Sequence, residues 1–274
     1  MATSVRDLLR YDGELPDPRA TPGVKSKSAA RKDVAAVAPE LARLQEQLFA
    51  NGKVDERTRA LLLLQGTDTS GKDGTVKHVV GLVNPSGCRI TSFGKPTKEE
   101  LAHDFLWRIT DALPGPGQLG VFNRSQYEDV LVVRVHELVP RAVWSRRYAQ
   151  INAWERRLVR AGTPVLKVLL HISRKEQKER LLARLQDPTK HWKVGTNDIP
   201  ERHLWDAYQE AYDAVLEKCS TDGAPWYVVP ADRKWYRDWA VTQLLTETLR
   251  DLRLEWPTPA GVDLAAMVAE LEAE

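Results

Sequence analysis

The sequence predicts an α/β protein in which a parallel sheet lies between two layers of helices. From about residue 59 onward, strand-like hydrophobic runs alternate with helix-like runs, which is the pattern of a parallel sheet covered on both faces. The first run, residues 61–64, breaks into a glycine-rich turn and continues as a helix. This order predicts a phosphate-binding loop, because the loop amides and the helix N-terminus converge on one anion.

Length and composition indicate one globular domain with extensions. The chain has 274 residues and 42% hydrophobic content, which is enough for a core of ordinary size. The net charge of +2 gives no reason to expect a nucleic acid or a membrane as a partner. Cys88 and Cys219 show no metal-binding spacing and are expected to be reduced core residues. The lack of an apolar signal or spanning stretch favours a soluble, cytoplasmic protein.

Three regions are predicted along the chain. Residues 1–57 form an N-terminal arm and a docking helix, residues 58–255 form the phosphate-binding domain, and residues 256–274 form a C-terminal tail. The arm is rich in proline over residues 11–32. The apolar residues at helical spacing over residues 33–51 then predict an amphipathic helix, which docks on the domain or on another subunit.

The remaining elements follow the loop in order. A helix after the loop ends near Asn84. Thr97 with Glu100, and later Ser173 with Glu176, form capping boxes that each start a helix. The other predicted elements are strands over residues 89–93, 120–122, 164–172 and 226–229, and helices over residues 141–160, 174–185, 198–215 and 235–252.

The predicted loop combines a lysine with acidic residues. Lys72 supplies a point charge for phosphoryl oxygens. In the usual form of this loop a Ser or Thr follows the lysine and holds magnesium, but here Asp73 takes that place and Asp68 lies within the loop. Carboxylates directed at phosphates need a metal between them. The residues expected to bind phosphate are Gly66, Thr67, Thr69, Ser70, Gly71, Asp73 and Gly74.

Polar residues also follow the third strand of the domain, residues 120–122. The carboxyl ends of parallel strands meet at one edge of the sheet, so the polar residues 123–129, among them Asn123, Arg124, Glu128 and Asp129, should face the same crevice as the loop. Asn123 stands where such domains commonly have a metal-holding acid.

Two groups of basic residues have different predicted roles. The arginines over residues 141–160 lie along one helix, where a charge run is more often a solvated surface than a groove. Arg180, Arg184 and Lys193 instead flank a loop in the place of a mobile lid. Closure of a lid brings cations onto the transferring phosphoryl group and excludes water. We therefore expect catalytic roles for Arg180 and Arg184 and phosphate binding by Lys193.

Several segments in order resemble the second polyphosphate kinase family, whose members transfer phosphate from inorganic polyphosphate to nucleotides. The resemblance covers about residues 30–255, and its segments are 66–74, 122–131, 192–193, 201–208 and 224–235. It implies a P-loop kinase-like fold with a helical lid at about residues 174–200. It also implies dependence on Mg²⁺, with Mn²⁺ as an alternative, and a basic channel for polyphosphate.

The resemblance further assigns residues to the site. It implies that Asp68, Lys72 and Arg124 are catalytic and that Asp68 holds the metal. The segment after the third strand looks like the subgroup that acts on both nucleoside monophosphates and diphosphates. The residues expected to bind the nucleotide are Asn123, Tyr127 and Glu128. A homo-oligomer, either a dimer or a tetramer, is expected.

The predicted function is Mg²⁺-dependent transfer of phosphate from polyphosphate to AMP and ADP, which gives ADP and ATP. The acceptor phosphate is already an anion, so the reaction needs no general base. Two alternatives remain. An ATP-dependent nucleotide or small-molecule kinase would need an adenine pocket for its donor, and a non-catalytic P-loop protein is disfavoured by the acidic residues and the lid cations.

Overall fold

A five-stranded parallel sheet forms the centre of the computed structural model, which describes residues 4–274. The strands are β1 (Ala60–Gln65), β2 (Cys88–Ser92), β3 (Leu119–Asn123), β4 (Val165–His171) and β5 (Trp226–Pro230). Their order in the sheet is β2-β3-β1-β4-β5, and each neighbouring pair is parallel. The predicted parallel sheet is confirmed, and β1 lies in its middle.

Helices connect the strands and cover both faces of the sheet. In the described residues they are α1 (Val5–Leu9), α2 (Lys27–Asn51), α3 (Lys72–His78), α4 (Lys98–Leu101), α5 (Trp107–Asp111), α6 (Val132–Val135), α7 (Arg141–Arg160), α8 (Arg174–Gln186), α9 (Asp198–His203), α10 (Trp205–Cys219), α11 (Lys234–Arg250) and α12 (Leu264–Glu272). Short 3₁₀ turns follow α3, β3 and α8. The predicted three layers of helix, sheet and helix are therefore confirmed.

Two hydrophobic cores lie on opposite faces of the sheet. Leu62 and Leu64 of β1 belong to the first core, together with residues of α2 and α11. Leu61 and Leu63 belong to the second core, together with residues of α7 and α10. All four leucines are buried. A strand covered on both faces has no solvent side, which explains its continuous aliphatic run.

The N-terminal arm docks on its own domain. α2 begins at Lys27, earlier than the predicted residue 33, because Ser26 caps the helix by accepting a hydrogen bond from the Ala29 amide. Leu41 and Leu48 of α2 are fully buried in the core that contains α11. α2 thus packs on the domain of its own chain, which is one of the two predicted options. Residues 1–3 of the predicted arm lie outside the described residues.

The two predicted capping boxes have different outcomes. Thr97 and Glu100 form the reciprocal box and start a helix, as predicted; this helix, α4, is short and ends at Leu101, before the chain turns into α5. The Asp104 carboxylate accepts a hydrogen bond from the Leu106 amide at 3.0 Å, and this local turn interrupts the helix.

The second box is only half formed. Ser173 Oγ accepts a hydrogen bond from the Glu176 amide at 3.1 Å, as predicted. The Ser173 amide donates instead to Asp232 Oδ1 at 2.8 Å, and Glu176 accepts from Arg180. The reciprocal half of the box is therefore wrong, because Asp232 takes its place. This contact ties the start of α8 to the end of β5.

The C-terminal tail contains α12, whose residues are all exposed. No described helix has the length and apolar character needed to cross a membrane. Both cysteines are free thiols; Cys219 is buried as predicted, whereas Cys88 is only partly buried.

Candidate active site

The phosphate loop, residues 66–74, joins the carboxyl end of β1 to α3 through an unusual backbone. Gly66, Thr69 and Gly71 all have positive φ angles, of 148°, 62° and 109°. A Cβ atom at Gly66 would lie 2.6 Å from Ser70 Oγ and 2.7 Å from the Leu170 carbonyl oxygen. Only glycine can occupy this position without displacing the neighbouring chain. The loop therefore curls tightly over the end of the sheet.

Three hydroxyl groups of the loop have no hydrogen-bond partner within the described residues. They are Thr67 Oγ1, Thr69 Oγ1 and Ser70 Oγ, and all three are buried. Buried polar atoms are nearly always paired, so an unpaired cluster needs an explanation. The hydroxyls lie beside the N-terminus of α3, where helix amides attract anions. Phosphoryl oxygens would satisfy them.

Lys72 lies beneath the loop. Its ammonium group donates to the carbonyl oxygens of Gly66 at 2.6 Å and of Thr67 at 3.2 Å. Burial, followed by repulsion from Arg124, lowers the pKa of Lys72 to about 8, although nearby carboxylates oppose the shift. The Lys72 ammonium group is thus a buried cation that is poorly solvated by water. Binding of phosphate would supply the missing compensation.

Each acidic residue of the loop contacts a cation of the segment between β4 and α10. Asp68 Oδ2 lies 3.3 Å from Arg184 Nη1. Asp73 Oδ2 accepts a hydrogen bond from Lys193 Nζ at 2.7 Å, and its other oxygen accepts from Asn123 at 2.9 Å. The Lys193 hydrogen bond is the main reason that the pKa of Asp73 is lowered. Both acids and both cations therefore meet on one side of the loop. We call it the open side, because these four side chains are partly exposed there.

The donor set fits a magnesium ion held jointly with phosphates. No group of three or more His, Cys, Asp or Glu side chains that could hold a metal occurs in residues 4–274. Mg²⁺ usually binds one or two carboxylates and completes its shell with substrate phosphates and water. Asp68 has a side chain that is 39% exposed and lies within the phosphate loop, so it fits this mode.

The predicted residues after β3 meet the loop. Asn123 pairs with Leu64 of β1 in the sheet, and its side chain reaches Asp73. The Arg124 amide donates to the Leu64 carbonyl oxygen at 3.0 Å, and its φ angle is 66°. The guanidinium group of Arg124 is exposed and lies 3.9 Å from Glu128. The backbone conformation of Arg124 thus directs toward the crevice a guanidinium group that still has unused hydrogen-bond donors.

Tyr127 does not face this crevice. Its side chain is fully buried, and its hydroxyl donates to Glu155 Oε1 at 2.8 Å. Lys167 Nζ donates to the same hydroxyl at 3.0 Å and to Glu155 Oε2 at 2.6 Å. The predicted nucleotide contact by Tyr127 is therefore corrected: this residue belongs to a buried polar network that supports the segment after β3.

Sequence reasoning missed the other members of that network. Lys167 is fully buried on β4, Glu155 lies on α7, and Gln126 also donates to Glu155 at 3.0 Å. Burial, followed by the charge of Glu155, raises the pKa of Tyr127 well above its usual value. A lysine inside an otherwise aliphatic strand was the signal that could have revealed this network.

Arg180 is a clamp rather than a lid cation. Its side chain is 8% exposed. The acceptors of its five N–H groups are the Glu176 carboxylate and the carbonyl oxygens of Thr69, Ser70, Ala231 and Asp232, at 2.6 to 3.1 Å. A guanidinium group has five donors, so none remains for a phosphate. The predicted catalytic contact of Arg180 is corrected to a structural tie between the loop and the end of β5.

Arg184 lies one turn further along α8 and differs from Arg180. Only its Nη1 atom makes contacts within the described residues, with Asp68 at 3.3 Å, Asp198 at 3.2 Å and the Lys193 carbonyl oxygen at 3.3 Å. Its other donors are available. Arg184 thus faces the open side of the loop with unused hydrogen-bonding capacity.

Arg237 of α11 is a further residue that sequence reasoning missed. Its guanidinium group is buried, pairs with Asp238, and packs against the first turn of α3. A Cβ atom at Gly74 would lie 2.9 Å from Arg237 Nη2, and one at Gly71 would overlap the same group. Glycine is therefore needed at both loop positions to leave room for the Arg237 guanidinium group. No sequence motif predicted the position of this arginine.

A cavity of about 340 Å³ lies along the edge strand β2 and its carboxyl end, two strands away from the strand that carries the loop. Phe93, Trp107 and Arg108 line it. Ser92 at the end of β2 pairs with Asn123 in the sheet, so the cavity adjoins the Asn123 to Asp73 contact. Its volume lies at the lower end of the range of small-molecule sites, and most of its lining residues are polar or charged.

Comparison with known proteins agrees with this geometry. The model of the family "Polyphosphate kinase 2" matches residues 24–255. An AMP/ADP-polyphosphate phosphotransferase of Meiothermus ruber is 48% identical over 253 residues, 92% of each chain. An ADP-polyphosphate phosphotransferase of Rhodopseudomonas palustris is 43% identical over 234 residues, 80% of each chain.

A solved structure is similar over the whole chain. The crystal structure of polyphosphate kinase 2 from Arthrobacter aurescens TC1 superposes with a TM-score of 0.95 at 49% identity, and the match covers 100% of this chain and 98% of that one. The resemblance read from the sequence motifs is thus confirmed, and the chain belongs to the polyphosphate kinase 2 family.

Proposed function

We propose that this protein transfers phosphate from inorganic polyphosphate to AMP and ADP. The observation that carries the proposal is the phosphate loop, which combines unpaired buried hydroxyls and the buried Lys72 ammonium group with the partly exposed Asp68 and its partner Arg184. The names of the relatives from Meiothermus ruber and Rhodopseudomonas palustris, which include AMP/ADP and ADP, support the choice of acceptors.

The chain's own groups would bring two polyanions together and screen their repulsion. The loop hydroxyls, the amides at the start of α3 and the Lys72 ammonium group would bind phosphoryl oxygens. Arg124, exposed beside Glu128, would hold the acceptor phosphate or the transferred group. No basic side chain is required to accept a proton, because the attacking oxygen belongs to an ionised phosphate. Positioning and charge screening would supply the rate enhancement.

Asp68 would hold the metal, with Mg²⁺ as the ion that suits an oxygen ligand set and Mn²⁺ as an alternative. When bound, the ion would supply positive charge that screens the repulsion between the phosphates. Phosphates that enter the crevice would compete with Asp68 for Arg184. Arg184 would then be free to donate to phosphoryl oxygens, for which it has unused donors.

The part of residues 174–200 that follows the Arg180 clamp would act as the lid. In the structure Arg184 and Lys193 of this segment are held by Asp68 and Asp73, the two acids of the loop. Incoming phosphates would compete for the same cations, so that substrate binding replaces protein carboxylates with phosphoryl oxygens. Closure over the substrate would also exclude water and suppress hydrolysis of the donor.

The cavity at the end of β2 would receive the nucleoside of the acceptor. It lies beside Asn123, its lining includes the aromatic rings of Phe93 and Trp107, and the Arg108 guanidinium group lies 5.6 Å from the Phe93 ring centroid. The donor would approach from the opposite direction, along the lid cations. A polymer on a cationic track releases counterions, so its affinity falls with rising salt.

One assay tests the function and its alternatives together. The protein is incubated with Mg²⁺, polyphosphate and either AMP or ADP, without ATP, and ADP or ATP is measured. We expect product from both acceptors and none when polyphosphate is omitted. An ATP-dependent kinase would form product only when ATP replaces polyphosphate, and a non-catalytic protein would form none with either donor. The KM for polyphosphate should rise with ionic strength.

A further inference from the structure

The C-terminal helix α12 has an apolar ridge that the described chain does not cover. Leu264, Met267, Val268 and Leu271 recur at spacings of three and four residues, so they share one side of the helix. These four side chains are 51 to 67% exposed. Asp263 caps the helix through a hydrogen bond to the Ala266 amide, which indicates that the helix is encoded locally.

The tail that carries this ridge is uniformly acidic. After Arg253 the sequence has no lysine or arginine, and its charged residues are Glu255, Asp263, Glu270, Glu272 and Glu274. At 100° per residue, Glu270 and Glu272 lie on opposite flanks of the ridge. A partner for α12 should therefore offer a shallow apolar surface with cations on both sides.

The exposed face of α7 has these properties. Its outward-facing arginines are Arg141, Arg146, Arg156, Arg157 and Arg160, and none forms an ion pair with a residue of the described chain. Ala142, Ala149 and Ala153 recur at spacings of seven and four residues between them, which places small side chains along the centre of the same face. Small residues let a second helix approach closely, with Arg146 and Arg157 on one flank, Arg156 on the other and Arg160 at the C-terminal end of the alanine line.

We propose that α12 of one copy of this chain docks on α7 of a second copy. The ridge of α12 would lie over the alanines, and Glu270 and Glu272 would face the flanking arginines. Within one chain the ridge is exposed, so it does not lie on its own α7. This inference does not depend on the proposed catalytic function.

A reciprocal exchange of α12 helices would make the contact large enough for a stable complex. A single nine-residue helix buries too little surface for a stable complex, since specific interfaces bury about 1,200 Å² or more in total. In a two-fold symmetric pair each copy donates one α12 and accepts another, so the contact occurs twice. The charge pairing makes the association sensitive to salt.

Charge reversal in the full-length protein tests the proposal. We expect wild type to have the mass of at least two chains by light scattering. Arg157→Glu with Arg160→Glu should lower that mass twofold or more, and so should Glu270→Arg with Glu272→Arg. A protein with all four changes should recover the wild-type mass. Arg31→Glu with Lys32→Glu, a matched reversal on the exposed part of α2, should leave it unchanged.

Two further measurements address the ridge itself. Met267→Ser with Leu271→Ser removes apolar surface without changing charge and should cause the same loss of mass. In a Cys88→Ser background, Ala153→Cys with Val268→Cys should give a disulfide between copies, seen as a covalent dimer. A single-chain mass for wild type, or an unchanged mass for the ridge variant, overturns the proposal. So does a weaker affinity for polyphosphate in the arginine variant with its assembly intact, which would assign the arginines to the polyanion.

Discussion

The two sides of the phosphate loop are held in contrasting ways. On the open side, Asp68 and Asp73 contact Arg184 and Lys193; all four side chains are partly exposed, and the two cations have unused donors. On the supporting side, buried groups hold the loop and its surroundings through saturated contacts, with Arg180 as the clearest case. The open side can exchange its partners for phosphates, whereas the supporting side cannot without losing structure.

Arg180 and Arg184 show what decides between these roles. They lie one turn apart on α8, so sequence type and spacing are alike for both. All five donors of Arg180 are used by fixed acceptors, four of them carbonyl oxygens, whereas Arg184 uses one nitrogen. Donor saturation, rather than residue type, therefore separates a structural arginine from one available to substrate.

Loss of the Asp68 carboxylate should have the largest effect. Asp68→Asn keeps the side-chain shape but removes the charge that would hold the metal, and we expect kcat to fall by about 10³-fold or more. The melting temperature should stay near the wild-type value, because this side chain is partly exposed. Asp206→Asn, at an exposed carboxylate outside the site, is the control. Turnover within tenfold of wild type would remove Asp68 from the mechanism.

The arginine pair of α8 tests the contrast directly. Arg184→Ala should lower kcat by about 10²-fold, the size expected for one preorganised charge, with less than about 1 kcal/mol change in the free energy of unfolding. Arg180→Ala should instead lower the free energy of unfolding by about 3 kcal/mol, since it leaves several buried acceptors unpaired.

Thermal melts beside steady-state kinetics separate the two arginines. If Arg180→Ala retains the wild-type melting temperature while kcat falls, Arg180 is not a structural clamp. It then acts on the substrate, as the sequence predicted. If Arg184→Ala leaves kcat unchanged, the open side loses its principal cation.

The pH dependence should follow Lys72, whose pKa is about 8 rather than its ordinary 10.5. Only the charged amine would bind phosphate, so kcat/KM for polyphosphate should fall above pH 8, approaching tenfold per pH unit. The sign for stability is opposite. Between pH 8 and 10.5 the unfolded chain binds more protons at Lys72, so the free energy of unfolding gains a contribution that increases with pH.

A variant that lacks only the Lys72 amine tests both effects. Lys72→Met should abolish the fall of kcat/KM above pH 8, at a much lower rate, and should flatten that contribution to stability. A wild-type profile that is level from pH 7 to 10 would show that the charge of Lys72 is not required for binding.

Most of the fold was predictable because local signals agreed with the tertiary structure. The aliphatic run of β1 and the glycines after it are determined by burial on both faces and by a left-handed turn, and both leave a direct trace in the sequence. The Ser173 box was only half correct because Asp232, which is distant in sequence, competes for the same amide.

The site was less predictable because it depends on contacts between distant segments. The acids of the loop and the cations of residues 184–193 are separate in sequence and meet only in the folded chain. The role of Arg180 depends on backbone carbonyl oxygens, whose positions around the side chain cannot be read from the sequence. Arg237 lacks any motif, and only the space left by Gly74 reveals its position.

Tyr127 offers the smallest and most specific test of the contrast. Tyr127→Phe deletes one buried hydroxyl, which donates to Glu155 and accepts from Lys167. The ring remains packed and the Lys167 to Glu155 ion pair remains at 2.6 Å, so the loss should be about 1 kcal/mol in the free energy of unfolding. Because the side chain is fully buried, the KM values for AMP and ADP should stay within about twofold of wild type. Asn123→Ala, beside the proposed acceptor cavity, is the matched variant on the open side and should raise those KM values with little change in stability. A large rise of KM in Tyr127→Phe at unchanged stability would place Tyr127 in contact with the nucleotide and contradict the division between the two sides.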